Sequence, residues 1–504
     1  MSEQGQTDGS LRRSVKAGIA WSTLSFGITK GLAFVSLLVL ARVLAPSQFG
    51  LVAAVTVVLS VIELTSDLGM AATVIYEQEQ GAGERVQVAF TVNMMLVVAL
   101  AVVGALLAPV LAGFFHASHH VALFRLAMVD VLLTGLGVVH DGLLLRDLRF
   151  SARIVTQVIS GIVRAAAGVT LALLGFGAAS LVWGLLLGTA AWVIVLWTVT
   201  GFRPALRFDL GIAKSMVGYG IGASTFSFLD QLVAQIDTAV VGRVLGRRAL
   251  GLYTVAFRIP TLVLENIASQ ISLVAFPALA RKRVADAGGV GGATARLVRY
   301  EALYALPLAA GMAVMAKPIV DTVFSRRWQD AAGVFAAVSV MSGISAAGFA
   351  LGDGLKALGR QRLLVILTVI QFPVLLVTII LVAPYGITAV AWARVGGTLL
   401  WVGLVTVSVA RVTGMSIPGL LGAAWPGAVA SAGVVATAGP VRLWAGLPAV
   451  PELVLAVVAG GAGTLIALAV LAPPTFHELR HGALGVGRRL RSRATGAGVI
   501  TAKP

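Results

Sequence analysis

The chain has no cysteine. Structural disulfides, thiolate metal sites and cysteine nucleophiles are therefore excluded together. Charge is almost as scarce. Of 504 residues, 12% are Asp, Glu, Lys or Arg and 58% are apolar, for a mean hydropathy of +0.95. A soluble globular domain carries about 25% charged residues. A deficit of that size cannot be hidden in a water-exposed fold, so the sequence describes an integral membrane protein. Loops are scarce too. The longest, 278–295, holds the run Gly288-Gly289-Val290-Gly291-Gly292, with no strand before it and no Gly-Lys-Ser/Thr after it. It is a flexible segment and not a phosphate cradle, so no ATP hydrolysis is expected. No loop has room for a soluble catalytic domain, and the chain is not expected to be an enzyme. The N-terminal residues lack an apolar core followed by a small-residue cleavage site, so no removable signal peptide is expected.

What the chain has instead is apolar runs. A spanning helix needs about 20 largely apolar residues, and fourteen runs qualify: 17–40, 48–75, 86–113, 120–144, 151–175, 177–200, 214–241, 249–277, 296–322, 330–357, 362–383, 386–410, 417–438 and 450–472. This predicts an all-α polytopic membrane protein of about 14 transmembrane helices, the last two being the least distinct. An even count puts both termini on one side. The net charge of +17 has the sign of a nucleic-acid binder, but the basic residues fall between spans and in the tail. Arg12, Arg13, Lys16, Arg146, Arg149, Arg153, Arg203, Arg207, Arg281, Lys282, Lys356 and Arg360 share the side of the termini, and the other side is poorer. That bias predicts cytoplasmic termini, and no nucleic-acid partner is expected. The basic, Gly-rich residues after about 474 read as a tail, which either meets anionic lipid or simply fixes topology.

One pattern repeats. Ala41-Arg42-Val43-Leu44-Ala45-Pro46-Ser47-Gln48-Phe49-Gly50-Leu51 aligns with Gly242-Arg243-Val244-Leu245-Gly246-Arg247-Arg248-Ala249-Leu250-Gly251-Leu252. After a one-residue slip, 21–26 also matches 223–228. A helix pair repeated at the start of each half predicts a two-lobed transporter.

The first copy, with Ser66-Asp67-Leu68-Gly69-Met70-Ala71-Ala72, resembles the opening of the polysaccharide-transport (Wzx-type) family of the MOP flippase superfamily. The second half resembles it at Gln235-Ile236-Asp237, Gly251-Leu252-Tyr253 and Phe276-Pro277-Ala278-Leu279-Ala280-Arg281. A further echo is Phe324-Ser325-Arg326-Arg327-Trp328, where Ser325 stands in place of the family's glycine. The similarity covers roughly 12–411 and is strongest to the teichuronic/colanic-acid exporter branch. Its motifs are structural turns, so they identify the fold better than the cargo.

The resemblance implies a MATE/MOP-like pair of six-helix lobes around a central cavity, plus two C-terminal helices. The expected organisation is a tail (1–16), an N-lobe (17–200), a linker (201–213), a C-lobe (214–411), two further helices (412–473) and a basic tail (474–504). The implied function is translocation of polyprenyl-pyrophosphate-linked oligosaccharide across the bacterial cytoplasmic membrane by alternating access. Membrane lipids, a polysaccharide polymerase and glycosyltransferases are the implied partners. No cofactor is expected beyond a coupling Na+ or H+.

Charges inside apolar helices are costly and mark functional sites by default. Lys30, about thirteen residues into its span, lies near mid-membrane at 1.5 Å per residue. It reads either as a cavity cation for a diphosphate or sugar carboxylate, or as one half of an ion pair with Asp230, Glu63 or Asp67. Arg164, Arg258 and Arg394 are the other candidate cargo-binding cations, since guanidinium binds phosphate in a forked geometry. Asp230, Asp237, Glu63, Asp67 and Glu265 are the candidates for ion coupling. Asp230 and Asp237 are seven apart on one helical face, and Glu63 and Asp67 are four apart, where like charges repel. Arg258 and Glu265, also seven apart, read equally as a salt bridge. His140-Asp141 are neighbours that diverge by about 100° around a helix, and His116, His119 and His120 share a loop, so no metal site is expected.

Two rivals share the architecture: a MATE-type multidrug antiporter, which calls for acidic cavity residues, and a lipid II flippase. A membrane glycosyltransferase would need a catalytic acid in an extramembrane domain, for which there is no room.

Overall fold

Backbone N–H and C=O groups find no partner in hydrocarbon, so each apolar run must satisfy its own by folding as a helix. The computed structural model follows that rule. It describes residues 27, 29–67, 82–147, 149–286, 288–444, 448–478 and 480, without the side chains of 64–67, 82, 215–227 and 285, and it contains no strand among them.

Helix α1 covers 29–43. It is followed by α2 (Pro46–Asp67), α3 (Ala82–Phe114), α4 (Val121–Arg146), α5 (Phe150–Leu173), α6 (Ala178–Thr200), α7 (Leu210–Val244) and α8 (Gly246–Pro260). Then come α9 (Asn266–Ala285), α10 (Gly289–Val314), α11 (Ala316–Val323), α12 (Ala332–Ala347) and α13 (Phe349–Ala357). The last four are α14 (Gln361–Val382), α15 (Ile387–Thr413), α16 (Ile417–Trp444) and α17 (Ala449–Leu471).

Among the described residues, twelve segments are long and apolar enough to cross a membrane. They correspond to twelve of the fourteen expected spans. The seventh expected span lies within α7, a 35-residue helix that also carries Lys214, Asp230, Asp237 and Arg243. The first is α1, whose opening residues up to 26 lie outside the described residues, as do Asp67's side chain and the motif residues after it. The chain is a multi-pass membrane protein.

The described residues form two compact units. One runs to Arg258 and adds Val323–Val334 and Leu364–Gly397; the other comprises Ile259–Thr322, Phe335–Leu363 and the chain from Thr398. Within the first unit, α5 packs on α6, and α4 packs on α3, α6 and α2. Small residues set the spacing. A Cβ at Gly135 would come within 2.7 Å of Val97, and one at Gly137 within 2.3 Å of Trp192. Such residues let helices approach closely where lipid offers no hydrophobic drive. Buried Asn93 donates to the Gly135 carbonyl at 2.9 Å across the same contact. In the second unit α16 packs between α10 and α17. There Gly433 and Gly463 face one another, each with space for a Cβ only 2.3 Å from the other's carbonyl oxygen.

Chain breaks have local causes. Asp209 caps α7 by accepting from the Ile212 N–H at 2.8 Å, a strong helix-start signal. After Pro260 the helix widens into a π-turn, Thr261–Glu265. Asn266 Nδ2 donates to the Thr261 carbonyl there. The seven-residue spacing of Arg258 and Glu265 assumes an unbroken α-helix, and the π-turn, which adds a residue to its turn, interrupts it.

Ser325 has φ 90° and ψ 163°, a region that only glycine occupies without strain. A residue other than glycine at this position is therefore a local liability. The turn is held nonetheless, because Trp328, fully buried, donates its N–H to the Ser325 carbonyl and its indole N–H to the Ala41 carbonyl at 2.9 Å. Strain of this kind is on the order of 1–3 kcal/mol, partly offset by glycine's greater freedom in the unfolded chain. Ser325→Gly is expected to raise the midpoint of thermal unfolding in detergent, by about 1 kcal/mol in stability. An unchanged or lowered midpoint would contradict the strained assignment.

Candidate functional site

The two copies of the repeated motif face each other. A Cβ on Gly50 would lie 1.7 Å from the Arg247 carbonyl oxygen, and a Cβ on Gly251 would lie 1.8 Å from the Pro46 carbonyl oxygen. Each would also lie 2.9 Å from the other glycine's amide nitrogen. Gly50 aligns with Gly251, and Pro46 with Arg247, so the contact is reciprocal and reproduces the repeat in space. The first turns of α2 and α8 touch backbone to backbone, with no room for a side chain. Phe49 meets Trp328 edge-on with ring centroids 5.2 Å apart, and Arg248 pairs with Asp330 at 3.2 Å.

Polar groups converge deeper in the first unit. Glu63 on α2 hydrogen-bonds Asp130 on α4, and Asp130 also meets the Thr189 hydroxyl on α6. The Arg164 guanidinium on α5 acts on both carboxyls. Sequence dictates how Arg164 is seated. Gly184 and Gly188, one turn apart on α6, leave a groove against α5. A Cβ at Gly188 would sit 2.7 Å from Arg164 Cβ and 3.2 Å from its Nε. Asp130 is 2% exposed and its Oδ1 has no partner among the described residues, whereas Arg164 as a residue is exposed. The arrangement is a cation beside a pair of carboxyls. Thr29, which precedes Lys30 on α1, places Cγ2 3.4 Å from a Cβ at Gly161, one turn before Arg164. Lys30 itself is half-buried. On the α7 side, Gln235 donates to Ser60, one turn from Glu63, at 3.2 Å.

Two other sequence candidates form a pair of their own. Asp237 on α7 is 1% exposed and lies 3.6 Å from Arg394 Nε on α15. Tyr253 on α8, wholly buried, donates its hydroxyl to Asp237 Oδ2 at 2.7 Å. Arg394 also donates to the Val233 carbonyl. Both charges are thus engaged in joining α7, α8 and α15. Asp230, one face-repeat earlier on α7, is exposed, as is Arg258 at the end of α8.

The second unit has its own buried acids. Glu265, at the end of the π-turn, accepts from Ser342 at 2.6 Å. Glu301 on α10 is 1% exposed; its Oε2 accepts the Ala350 N–H at the start of α13 at 2.9 Å, and its Oε1 has no partner. Asp353 on α13 accepts from Ser272 and lies 3.6 Å from Lys356.

Asp130, Glu301 and Asp353 do not figure among the sequence candidates, although the signal that marks Glu63 marks them equally: an acid within an apolar run. Thr189 and Tyr253 carry no such signal. Among the described residues no cluster of three His or acidic side chains could hold a metal. His140 is instead buried and stacked on Trp197 at 4.8 Å.

The structure is similar to that of the lipid II flippase MurJ in an inward closed conformation, with a TM-score of 0.75 and 13% identity over 90% of this chain and 99% of that one. It is also similar to an inward-facing multidrug resistance MATE transporter of the MOP superfamily, with a TM-score of 0.62 and 15% identity over 79% of this chain and 99% of that one. The chain shares the fold of these two proteins. Sequence gives the particular branch. The model of the family described as "Polysaccharide biosynthesis protein" matches residues 39–333, and the chain belongs to that family. Among its relatives are the succinoglycan biosynthesis transport protein ExoT of Rhizobium meliloti, 26% identical over 66% of this chain and 67% of the relative. The teichuronic acid biosynthesis protein TuaB of Bacillus subtilis is 23% identical over 70% and 73%. The lipopolysaccharide biosynthesis protein WzxC of Escherichia coli is 24% identical over 70% and 71%.

Removing one member of a buried ion pair strands the other and costs roughly 3–5 kcal/mol, whereas replacing both is far milder. Asp237→Asn alone is therefore expected to lower the thermal midpoint in detergent more than Asp237→Asn combined with Arg394→Leu. A double variant as unstable as the sum of the two single ones would show that the pair is not coupled.

Proposed function

We propose that this chain moves a polyprenyl-pyrophosphate-linked oligosaccharide from the inner to the outer leaflet of the bacterial cytoplasmic membrane, with both termini in the cytoplasm. Transport proceeds by alternating access, through rocking of an N-lobe (17–200) against a C-lobe (214–411), and no covalent step is catalysed. Glycosyltransferases that build the cargo and a polymerase that consumes it are the partners such a step requires.

The observation that carries this reading is the Arg164 guanidinium beside the Glu63–Asp130 pair, in a family whose relatives are named for polysaccharide biosynthesis and transport. The chemistry is a competition. In this scheme the neighbouring Glu63 and Asp130 carboxyls, which repel when both are charged, hold one proton between them. With the pair protonated, Arg164 is left with charge to spend on the cargo's diphosphate, supported by Lys30. When the pair loses its proton, it reclaims the guanidinium and the diphosphate is released. The prenyl tail stays in lipid throughout. H+ is thus the coupling ion of this scheme. Arg258 is a further cargo contact, and Asp230 and Glu265 remain candidates for ion coupling. Arg394 and Asp237, tied to each other, act instead as a brace.

Mass spectrometry of lipid-linked oligosaccharides in cells lacking this gene, with leaflet assignment, tests the reading. One completed repeat unit is expected to accumulate on the cytoplasmic leaflet, and the Arg164→Gln/Lys30→Gln double variant is expected not to relieve it. Glu63→Gln with Asp130→Asn should bind cargo but lose the pH dependence of transport. Absence of accumulation together with sensitivity to cationic drugs would favour a multidrug antiporter, and accumulation of the murein precursor would favour a lipid II flippase. Full relief by the Arg164/Lys30 variant would remove the proposed cation site.

A further inference from the structure

Three arginines sit around the turn that joins α7 to α8, and they are neutralised differently. Arg248 has a carboxylate, Asp330, at 3.2 Å. Arg243 lies over the Phe114 ring, 5.5 Å from its centroid. Arg247, half-buried, has neither. The side chain it meets is His120, whose Nδ1 is 3.4 Å away, a second basic group. Between them opens a cavity of about 500 Å³, lined by Ser47, Gln48, His120, Phe176, Gly177 and Arg247 among others, with no carboxylate in its wall.

The remaining wall has matching chemistry. Gln48 accepts the Ala45 N–H through Oε1, at 2.9 Å, which turns its Nε2, a donor, towards Gly177. Ser47 adds a hydroxyl. Phe176 is 53% exposed and gives the cavity an apolar, ring-sized flank. A cation with no carboxylate partner among the described residues, beside an amide and a hydroxyl and with no acid in the cavity wall, selects an oxyanion, and a guanidinium binds one in a forked geometry. The flat apolar flank beside it suits a pyranose better than a bare phosphate.

Building on the transport reading above, we propose that this cavity is a binding site for a carboxylate-bearing sugar residue of the cargo. It lies at the loop face formed by 41–50, 115–120, 174–178 and 246–248, at the edge of the Gly50–Gly251 contact. That face is the outer one in the topology proposed here, so the site receives the glycan at the exit end of the path. It lies apart from the Glu63–Asp130–Arg164 cluster and is served by different residues.

Isothermal titration of the full-length protein in phosphatidylcholine nanodiscs tests it with three probes: tri-galacturonate, uncharged maltotriose and farnesyl diphosphate. Tri-galacturonate is expected to bind, more weakly as salt rises, and maltotriose to give no heat. Arg247→Gln should weaken tri-galacturonate at least tenfold, Arg247→Lys should recover part of the loss, and Arg248→Gln should match the wild type. Thermal midpoints establish that each variant is folded. Equal tri-galacturonate affinity in the Arg247→Gln and wild-type proteins would overturn the site. A loss confined to farnesyl diphosphate would overturn the sugar assignment in favour of the carrier's diphosphate. The leaflet assay stands apart from these titrations. If it fails while tri-galacturonate binding still depends on Arg247, the transport reading falls and the anion site stands.

Discussion

An ionised side chain in hydrocarbon has no water to turn to, and most of this structure is arranged around that constraint. Several acids that the sequence places inside spanning helices have been given company. Asp237 has Tyr253 and Arg394, Glu265 has Ser342, Asp353 has Ser272 and Lys356, and Glu63 has Asp130 beneath Arg164. These contacts join helices far apart in sequence, so polar groups serve here as the fasteners that apolar contacts provide in a water-soluble core. Glycines make the fasteners reachable. Arg164 can lie along α6 only because Gly188 leaves the groove empty, and a methyl group there would push the guanidinium away from both carboxyls.

The engaged charges fall into two kinds. Asp237 is buried against Tyr253 and the half-buried Arg394, which suits a brace. The Arg164 cluster is asymmetric: Asp130 is buried, whereas Arg164 is an exposed residue. The exchange of partners proposed above rests on that asymmetry.

Much of this was legible in the sequence. The low charge and the long apolar runs give the membrane class and nearly all the helices, because length and hydropathy are local properties. The repeat between 41–51 and 242–252 is legible as well, but its consequence is not. Alignment shows that two segments are alike without showing that they touch. The Asp237–Arg394 pair joins positions more than 150 residues apart, which no spacing rule reaches. Arg258 and Glu265 show a second limit, since their spacing assumes an unbroken α-helix and the π-turn after Pro260 interrupts that period. Ser325 was visible as a departure from a family glycine, and the backbone supplies the reason that glycine belongs there. Asp130 was within reach of the same reasoning that marks Glu63. Its role emerges only with its neighbours, because an acid's function in a helix depends on what the next helix brings.

The reciprocal contact of Gly50 and Gly251 has an evolutionary consequence. In a chain built from two similar halves, each half is usually free to drift once the copies have diverged. Here the backbone of one copy fills the space that a side chain on the other would need, and the reverse holds with the same atoms. A side chain gained at either glycine is felt first by the opposite half. The two copies therefore remain under joint selection at this turn, however far the rest of their sequences diverge.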